Sequence, residues 1–140
     1  MPKSSIIFDL LKSKGFRLTR ARKTLIRIFV CSKNPLAAAD LNSRLEKMDV
    51  SVNKTTIYRE IDFLKGQRII RELQFGDGKR RYEIWPDNHH HHIVCINCDY
   101  IECVELDGCL EDEEKKILRE NNFKTIKHSL EFQGLCAKCQ

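Results

Sequence analysis

Nowhere does this chain hold an apolar run close to the roughly 20 residues that a membrane-spanning helix needs, so such a helix is excluded. Glycine and proline are scarce, six and three in 140 residues, which argues against a linker-like or low-complexity chain. The opening Met1-Pro2-Lys3-Ser4-Ser5 leads straight into an amphipathic pattern without the apolar core of a secretory signal, and a cytoplasmic location is expected. In that compartment the seven cysteines are expected as thiols or metal ligands rather than disulfides. There is no internal repeat, and the one biased segment is a run of four histidines.

What is present is an uneven distribution of charge. Residues 1–86 carry 19 Lys and Arg against 9 Asp and Glu, a surplus of +10, whereas residues 87–140 carry 6 against 11, or −5. A basic half joined to an acidic half points to a polyanion as partner of the first, although a solvated basic face gives the same count.

Ile6, Ile7, Leu10 and Leu11 share one helical face that Gly15 closes. Thr19 is placed to cap a second helix burying Leu25, Ile28 and Phe29, which Asn34-Pro35 ends. A third helix turns Leu41, Leu45 and Met48 inward. A fourth, capped by Asn53 or Thr55, buries Ile57, Ile61 and Leu64 and stops at Gly66. Ile69 to Phe75 and Lys79 to Trp85 then read as two strands around Gly76-Asp77-Gly78. Three helices and a hairpin in this order predict a winged helix-turn-helix over residues 1–85. Pro86-Asp87-Asn88 reads as a hinge where the charge changes sign. The remainder, 89–140, reads as strand (about 92–96), strand (about 100–105), helix (about 109–121) and strand (about 124–133). In it Leu110, Ile117 and Leu118 share a helix face, and Ile126, His128, Leu130 and Phe132 share a strand face. The fold class expected is α+β.

Cys95-x-x-Cys98 and Cys136-x-x-Cys139 are two chelating pairs far apart in sequence. Four thiolates so paired match a closed tetrahedral zinc site, which is structural because no position remains for substrate. A redox dithiol or four unrelated thiols are the competing readings. The histidine run His89-His90-His91-His92 alternates sides on an extended backbone, so His89 and His91 oppose His90 and His92. Two His-x-His chelates on opposite faces follow, or equally a solvated loop. Glu83 at the end of the wing, Glu111 at the start of the acidic helix and His128 on a strand face keep company with them, though a lone His128 fits a hydrogen-bonded core residue as well.

The fourth helix presents Thr55, Tyr58, Arg59 and Asp62 opposite its apolar stripe. A helix in this slot of a helix-turn-helix enters the major groove of double-stranded DNA with its N-terminal half nearest the bases. Lys14, Arg20 and Arg22, with Lys79, Arg80 and Arg81 on the wing, are then expected to hold phosphates. Each of these residues alone fits an ordinary solvated surface equally well.

Taken in order, the motifs resemble the ferric uptake regulator superfamily over nearly the whole chain. Gly15-Phe16-Arg17-Leu18-Thr19 with Arg22, Thr56-Ile57-Tyr58-Arg59, Arg81-Tyr82-Glu83, the histidine run before Cys-x-x-Cys, and His128-Ser129-Leu130 follow in family order. The resemblance implies a homodimer, with residues 89–140 as a small α/β dimerisation domain carrying the structural zinc. It also implies a corepressor metal that sets the placement of the two DNA-binding halves. By position it assigns a sensor site to Glu83, His90 and His92, and a second site to His89, His91, Glu111 and His128.

Three departures bear on metal choice. Asn34-Pro35 stands where the family often adds a histidine. Cys103, with Glu102 beside it, stands where an acid is frequent, and His91 stands where the iron-sensing branch commonly has aspartate. Trading oxygen donors for imidazole and thiolate moves preference from iron(II) toward zinc. A zinc-dependent repressor is therefore favoured over an iron-responsive or peroxide-sensing one. Two readings of other classes stay open: a zinc enzyme built on Glu83, His90 and His92 with a bound water, and a zinc-dependent dimerisation adaptor that binds no DNA.

Overall fold

A computed structural model describes residues 4–86 and 89–140, in two compact units, Met1–Asp87 and Asn88–Gln140. Asp87 and Asn88, two of the three residues read as a hinge, lie outside the described residues.

The first unit contains helices α1 (Ser4–Ser13), α2 (Arg20–Cys31), α3 (Ala38–Lys47) and α4 (Lys54–Gly66), and strands β1 (Leu36–Ala37), β2 (Ile70–Gln74) and β3 (Arg80–Ile84). Its helices start where side chains satisfy exposed backbone N–H groups. The Thr19 hydroxyl accepts from the Arg22 N–H at 3.2 Å, the Asn53 carbonyl accepts from Thr56 at 2.8 Å, and the Asp40 carboxylate reaches back to Ala37 at 2.9 Å. Gly15, at φ +80°, takes the left-handed conformation that ends α1. The core is one cluster in which Leu11, Leu25, Ile26, Leu41, Leu45 and Leu64 are fully buried, with Ile57, Ile61, Ile70 and Phe29 among them. Met48, expected inside, is instead half exposed at the C-terminal cap of α3.

β2 and β3 pair antiparallel from Ile70↔Ile84 to Gln74↔Arg80. The unforeseen strand β1 adds to the other edge through Leu36↔Tyr82 and Ala37↔Arg81, so β3 is central. Two residues leave no periodicity to read, and Pro35 appears in the sequence only as a break.

The second unit contains β4 (His91–Cys95), β5 (Ile101–Val104), α5 (Glu111–Asn121) and β6 (Glu131–Gly134). β4 is central, antiparallel to β5 and parallel to β6. The last strand is shorter than the 124–133 expected, because its pairing with β4 begins only at His92↔Glu131. Ile126, read as sharing a face of that strand, is 86% exposed. The helix begins at Glu111 rather than 109, after the left-handed pair Gly108 (φ +61°) and Leu110 (φ +53°) flanking Cys109. No residue of α5 is buried, and Leu118, on its apolar face, is 50% exposed. No described helix is long and apolar enough to cross a membrane.

Candidate metal centres and nucleic-acid interface

Because α4 buries Ile57, Ile61 and Leu64, its turn geometry directs Thr55, Tyr58 and Arg59 outward, and all three are exposed. Tyr58 borders a shallow hollow lined also by Ala38, Ala39, Asn42, Lys54 and Ile57. Arg20 is exposed at the first position of α2. Lys14 is exposed, with its ammonium 3.4 Å from the Gln67 side-chain oxygen. On the wing, Lys79 and Arg80 are exposed, although the Arg80 guanidinium lies 3.6 Å from Glu72.

Two cations expected on phosphates are committed elsewhere. Arg22 donates from Nε and Nη2 to the two carboxylate oxygens of Glu60 (2.8 and 3.0 Å) and from Nη1 to the Arg17 carbonyl (2.8 Å). Its guanidinium also stacks 3.7 Å from the Phe63 ring centroid. That residue clamps α2 to α4, and its donors are turned inward. Arg81 is likewise buried, bonded to Asp77 at 2.8 Å across the wing turn.

In the second unit, the Sγ atoms of Cys95, Cys98, Cys136 and Cys139 all lie within 4.8 Å of one another. Strand pairing explains how: Cys95↔Gly134 aligns the end of β4 with the end of β6, so each tight turn that follows supplies its Cys-x-x-Cys to the same point. The thiols do not ionise alike. Backbone N–H groups of Cys136 and Cys98 bring Cys95 down to about 6. At Cys98 the backbone bond from Tyr100 acts downward, yet the neighbouring thiols and burial outweigh it and push the group up to about 12. Four thiolates at this spacing repel, and a tetrahedral dication is what lets all four be charged at once.

His92 is buried on β4 directly opposite Cys103 on β5. His90 brings its ring to 4.9 Å from that of His92, and the ligand atoms of His90, His92 and Cys103 lie within 4.8 Å of one another. Glu102 does not join them: it pairs with Ile93, one residue out of phase, and accepts from the Tyr100 hydroxyl at 3.3 Å. Glu83, in the first unit, sits on the central strand β3, where Arg71 bonds its carboxylate at 2.6 Å.

On the other face of β4, His89, His91 and His128 gather with Cys109. The His89 Nε2 lies 3.1 Å from that of His91 and 3.0 Å from that of His128. The Cys109 sulfur lies 2.6 Å from His91 Nε2 and 3.4 Å from His128 Nε2. Burial, then the neighbouring His89, lowers the pKa of His91, and burial with Glu114 and Glu113 nearby raises that of the Cys109 thiol. Glu111 is exposed and not one of the group, and Cys109 stands in the cluster in its place. The sequence signal was Gly108, which turns the chain just before the thiol; starting the helix at 109 hid it.

Residues 13–133 match the model of the ferric uptake regulator family. The chain belongs to that family. It is 31% identical over 133 residues to the ferric uptake regulation protein of Bacillus subtilis, covering 92% of this chain and 89% of that one. In structure it is similar to the Helicobacter pylori ferric uptake regulator, with a TM-score of 0.84 at 22% identity, covering 99% of this chain and 94% of the other. It is also similar to the ferric uptake regulator of Francisella tularensis solved with iron, with a TM-score of 0.79 at 27% identity, covering 89% and 95%.

As a ferric uptake regulator family member, the chain is a metal-responsive, DNA-binding transcriptional regulator and not an enzyme. The enzyme reading of Glu83, His90 and His92 is thereby set aside. The surplus of basic residues lies in the first unit, and the cysteines and histidines of the candidate metal groups lie in the second.

Proposed function

We propose that this regulator is a zinc-responsive repressor, in which a homodimer grips double-stranded operator DNA when a sensor metal is bound. The observation that carries the choice of zinc is the thiol in each histidine cluster, Cys103 with His90 and His92 and Cys109 with His89, His91 and His128. Thiolate and imidazole together suit zinc better than iron(II) or manganese(II). Cys95, Cys98, Cys136 and Cys139 hold a structural zinc, because their site closes on itself.

The sensor ligands proposed are Glu83, His90, His92 and Cys103. In sequence Glu83 precedes Pro86 and the other three follow it, so one shared ion restrains the DNA-reading unit relative to the dimerising one. By linkage, metal strengthens DNA binding only as much as DNA strengthens metal binding, typically about 1–3 kcal/mol. On the DNA side Thr55, Tyr58 and Arg59 read bases, and Lys14, Arg20, Lys79 and Arg80 hold phosphates. Dimerisation is supported by the apolar residues that the isolated second unit leaves exposed, among them Ile117, Leu118, Phe123 and Phe132. Cytoplasmic action goes with this role.

Iron(II) is the second reading, favoured by the hard carboxylate of Glu83 and by the iron-bound Francisella tularensis relative. Operator affinity measured with zinc, iron(II) and manganese(II) in turn decides between them. Zinc should activate at the lowest free concentration, and His90→Ala/His92→Ala should abolish the response. Activation by iron(II) at lower free concentration than zinc, with Cys103→Ser unchanged, overturns the zinc reading.

A further inference from the structure

The basic residues around the wing are not equally available to DNA. Arg71 bonds Glu83 and Arg81 bonds Asp77, whereas Lys65 in the last turn of α4 and Arg80 on β3 share one carboxylate, that of Glu72 on β2. They hold it unequally. The Lys65 ammonium donates to Glu72 Oε2 at 2.5 Å. The Arg80 Nε lies 3.6 Å from Oε1, too far for a hydrogen bond, and its side chain is 69% exposed. Oε1 also accepts from the Gln74 amide at 3.2 Å. Register explains the gathering: Glu72↔Tyr82 and Gln74↔Arg80 are cross-strand pairs two residues apart, so these side chains stand on one face of the hairpin, where Lys65 reaches them from α4. The contact lowers the pKa of Glu72 and raises that of Lys65, so both are charged at neutral pH. A loosely held surface cation leaves its partner at little cost, and a hydrogen-bonded, partly buried one does not. Arg80 is therefore free to turn to a phosphate while Glu72 keeps Lys65.

We infer that Glu72 is a specificity-determining residue of the DNA-binding surface: it withholds Lys65 from the phosphate backbone and ties the wing to α4. The inference rests on the proposed role of α4 in reading bases and of the wing in holding phosphates. Backbone contacts strengthen binding to every sequence alike and carry no sequence information. With Lys65 released, any duplex gains such a contact. A duplex already held in register by Thr55, Tyr58 and Arg59 gains less, because Lys65 lies at the end of α4 opposite the N-terminal half nearest the bases. A carboxylate at this place thus lowers the general affinity for DNA more than the affinity for the preferred sequence. Glu72 acts through Lys65 and the wing, as a positioning residue that itself touches no DNA.

The test uses the full chain supplied with zinc and two probes: a pool of random-sequence duplexes, and the duplex that the wild-type protein enriches from that pool. Affinity for each is measured over a range of salt. Glu72→Gln, which keeps the shape and removes the charge, should bind the random pool about fivefold more tightly at physiological salt and steepen its salt slope by about 1. The enriched duplex should gain less, so that the preference for it falls. Adding Lys65→Met should return the slope to the wild-type value, since Lys65 is the cation set free. A merely structural role for Glu72 predicts a lower melting temperature and weaker binding of both probes with neither slope steepened, and that result overturns the inference. So does a steeper slope that persists in Lys65→Met/Glu72→Gln. Lys79→Ala tells this failure from failure of the proposed DNA surface. A slope lowered by about 1 keeps the wing on phosphates, and the inference then stands or falls on Glu72→Gln alone; an unchanged slope takes the wing off the DNA and the inference with it.

Discussion

The two units of this chain solve the same stability problem by different means. The first closes a continuous apolar core from all four helices and the sheet. The second buries few apolar side chains, Val94, Cys95 and Ile101, beside two buried histidines, and leaves Ile93, Ile96, Leu118, Phe123, Ile126 and Leu135 exposed. A unit of about 50 residues with so little core is marginal alone, and it gathers His and Cys side chains whose donor atoms lie close enough together to hold metal ions. The contrast teaches that the first unit carries its own core, whereas the second, under the proposed function, draws on metal for its shape.

The contrast is broken most severely at the four cysteines. Cys98→Ser or Cys136→Ser should lose one metal per chain and unfold the second unit, since structural zinc in small domains contributes about 10–16 kcal/mol of apparent binding free energy. Metal content and hydrogen exchange should report this while protection in residues 4–86 stays unchanged. Ile61→Ala sharpens the comparison from the other side. It should cost about 2–5 kcal/mol in the melting of the first unit and leave metal stoichiometry alone. Next comes Arg22→Ala, which strands the mostly buried Glu60 carboxylate and should destabilise the first unit by about 3 kcal/mol. The salt dependence of DNA binding should not change with it, whereas Arg20→Ala should reduce the salt slope by about 1.

Arg59→Ala should leave both melting transitions in place and weaken operator binding by about 1–3 kcal/mol, with relaxed sequence preference, in a competition assay. The smallest effect is in pH. Hydrogen bonds from Lys65 and from Arg81 hold Glu72 and Asp77 below their usual values of 4.5 and 3.8. Folded values that lie below unfolded ones add stability above the unfolded pKa, and that stability is lost as pH falls through the folded pKa. The wing should therefore keep its contribution above about pH 5 and lose it progressively below about pH 4, read as selective loss of amide protection in residues 70–84. Glu72→Gln/Asp77→Asn should flatten this dependence.

Much of the first unit was legible because helical periodicity and capping residues are local: Thr19, Asn53 and Gly15 mark their boundaries with their own chemistry. What it left unread, β1 and the Arg22–Glu60 clamp, is tertiary. Two residues of strand exist only because β3 offers an edge, and a basic residue near a helix start looks the same whether it meets phosphate or Glu60. In the second unit the Cys-x-x-Cys pairs and the alternation of the histidine run could be read from spacing. Choosing between Cys103 and Glu102 needed the register of β4 with β5, which no local pattern encodes. Finding Cys109 needed the left-handed turn at Gly108 and Leu110, and the exposed 122–130 segment mimics a strand by alternation without a partner to pair with.

The parallel pairing of β4 with β6 bears on rates as well as on structure. His92 meets Glu131, 39 positions away in the chain, whereas Gln74 and Arg80 of the wing hairpin meet across a short turn. Distant pairings close slowly, because loop entropy is lost before contacts repay it. During synthesis or refolding, the first unit should thus reach its native form first, and β4 must wait with its histidines and first cysteine exposed until β6 arrives. Those early-exposed ligands give metal a place to bind before the sheet exists, so metal supply should set the speed of maturation as well as its extent.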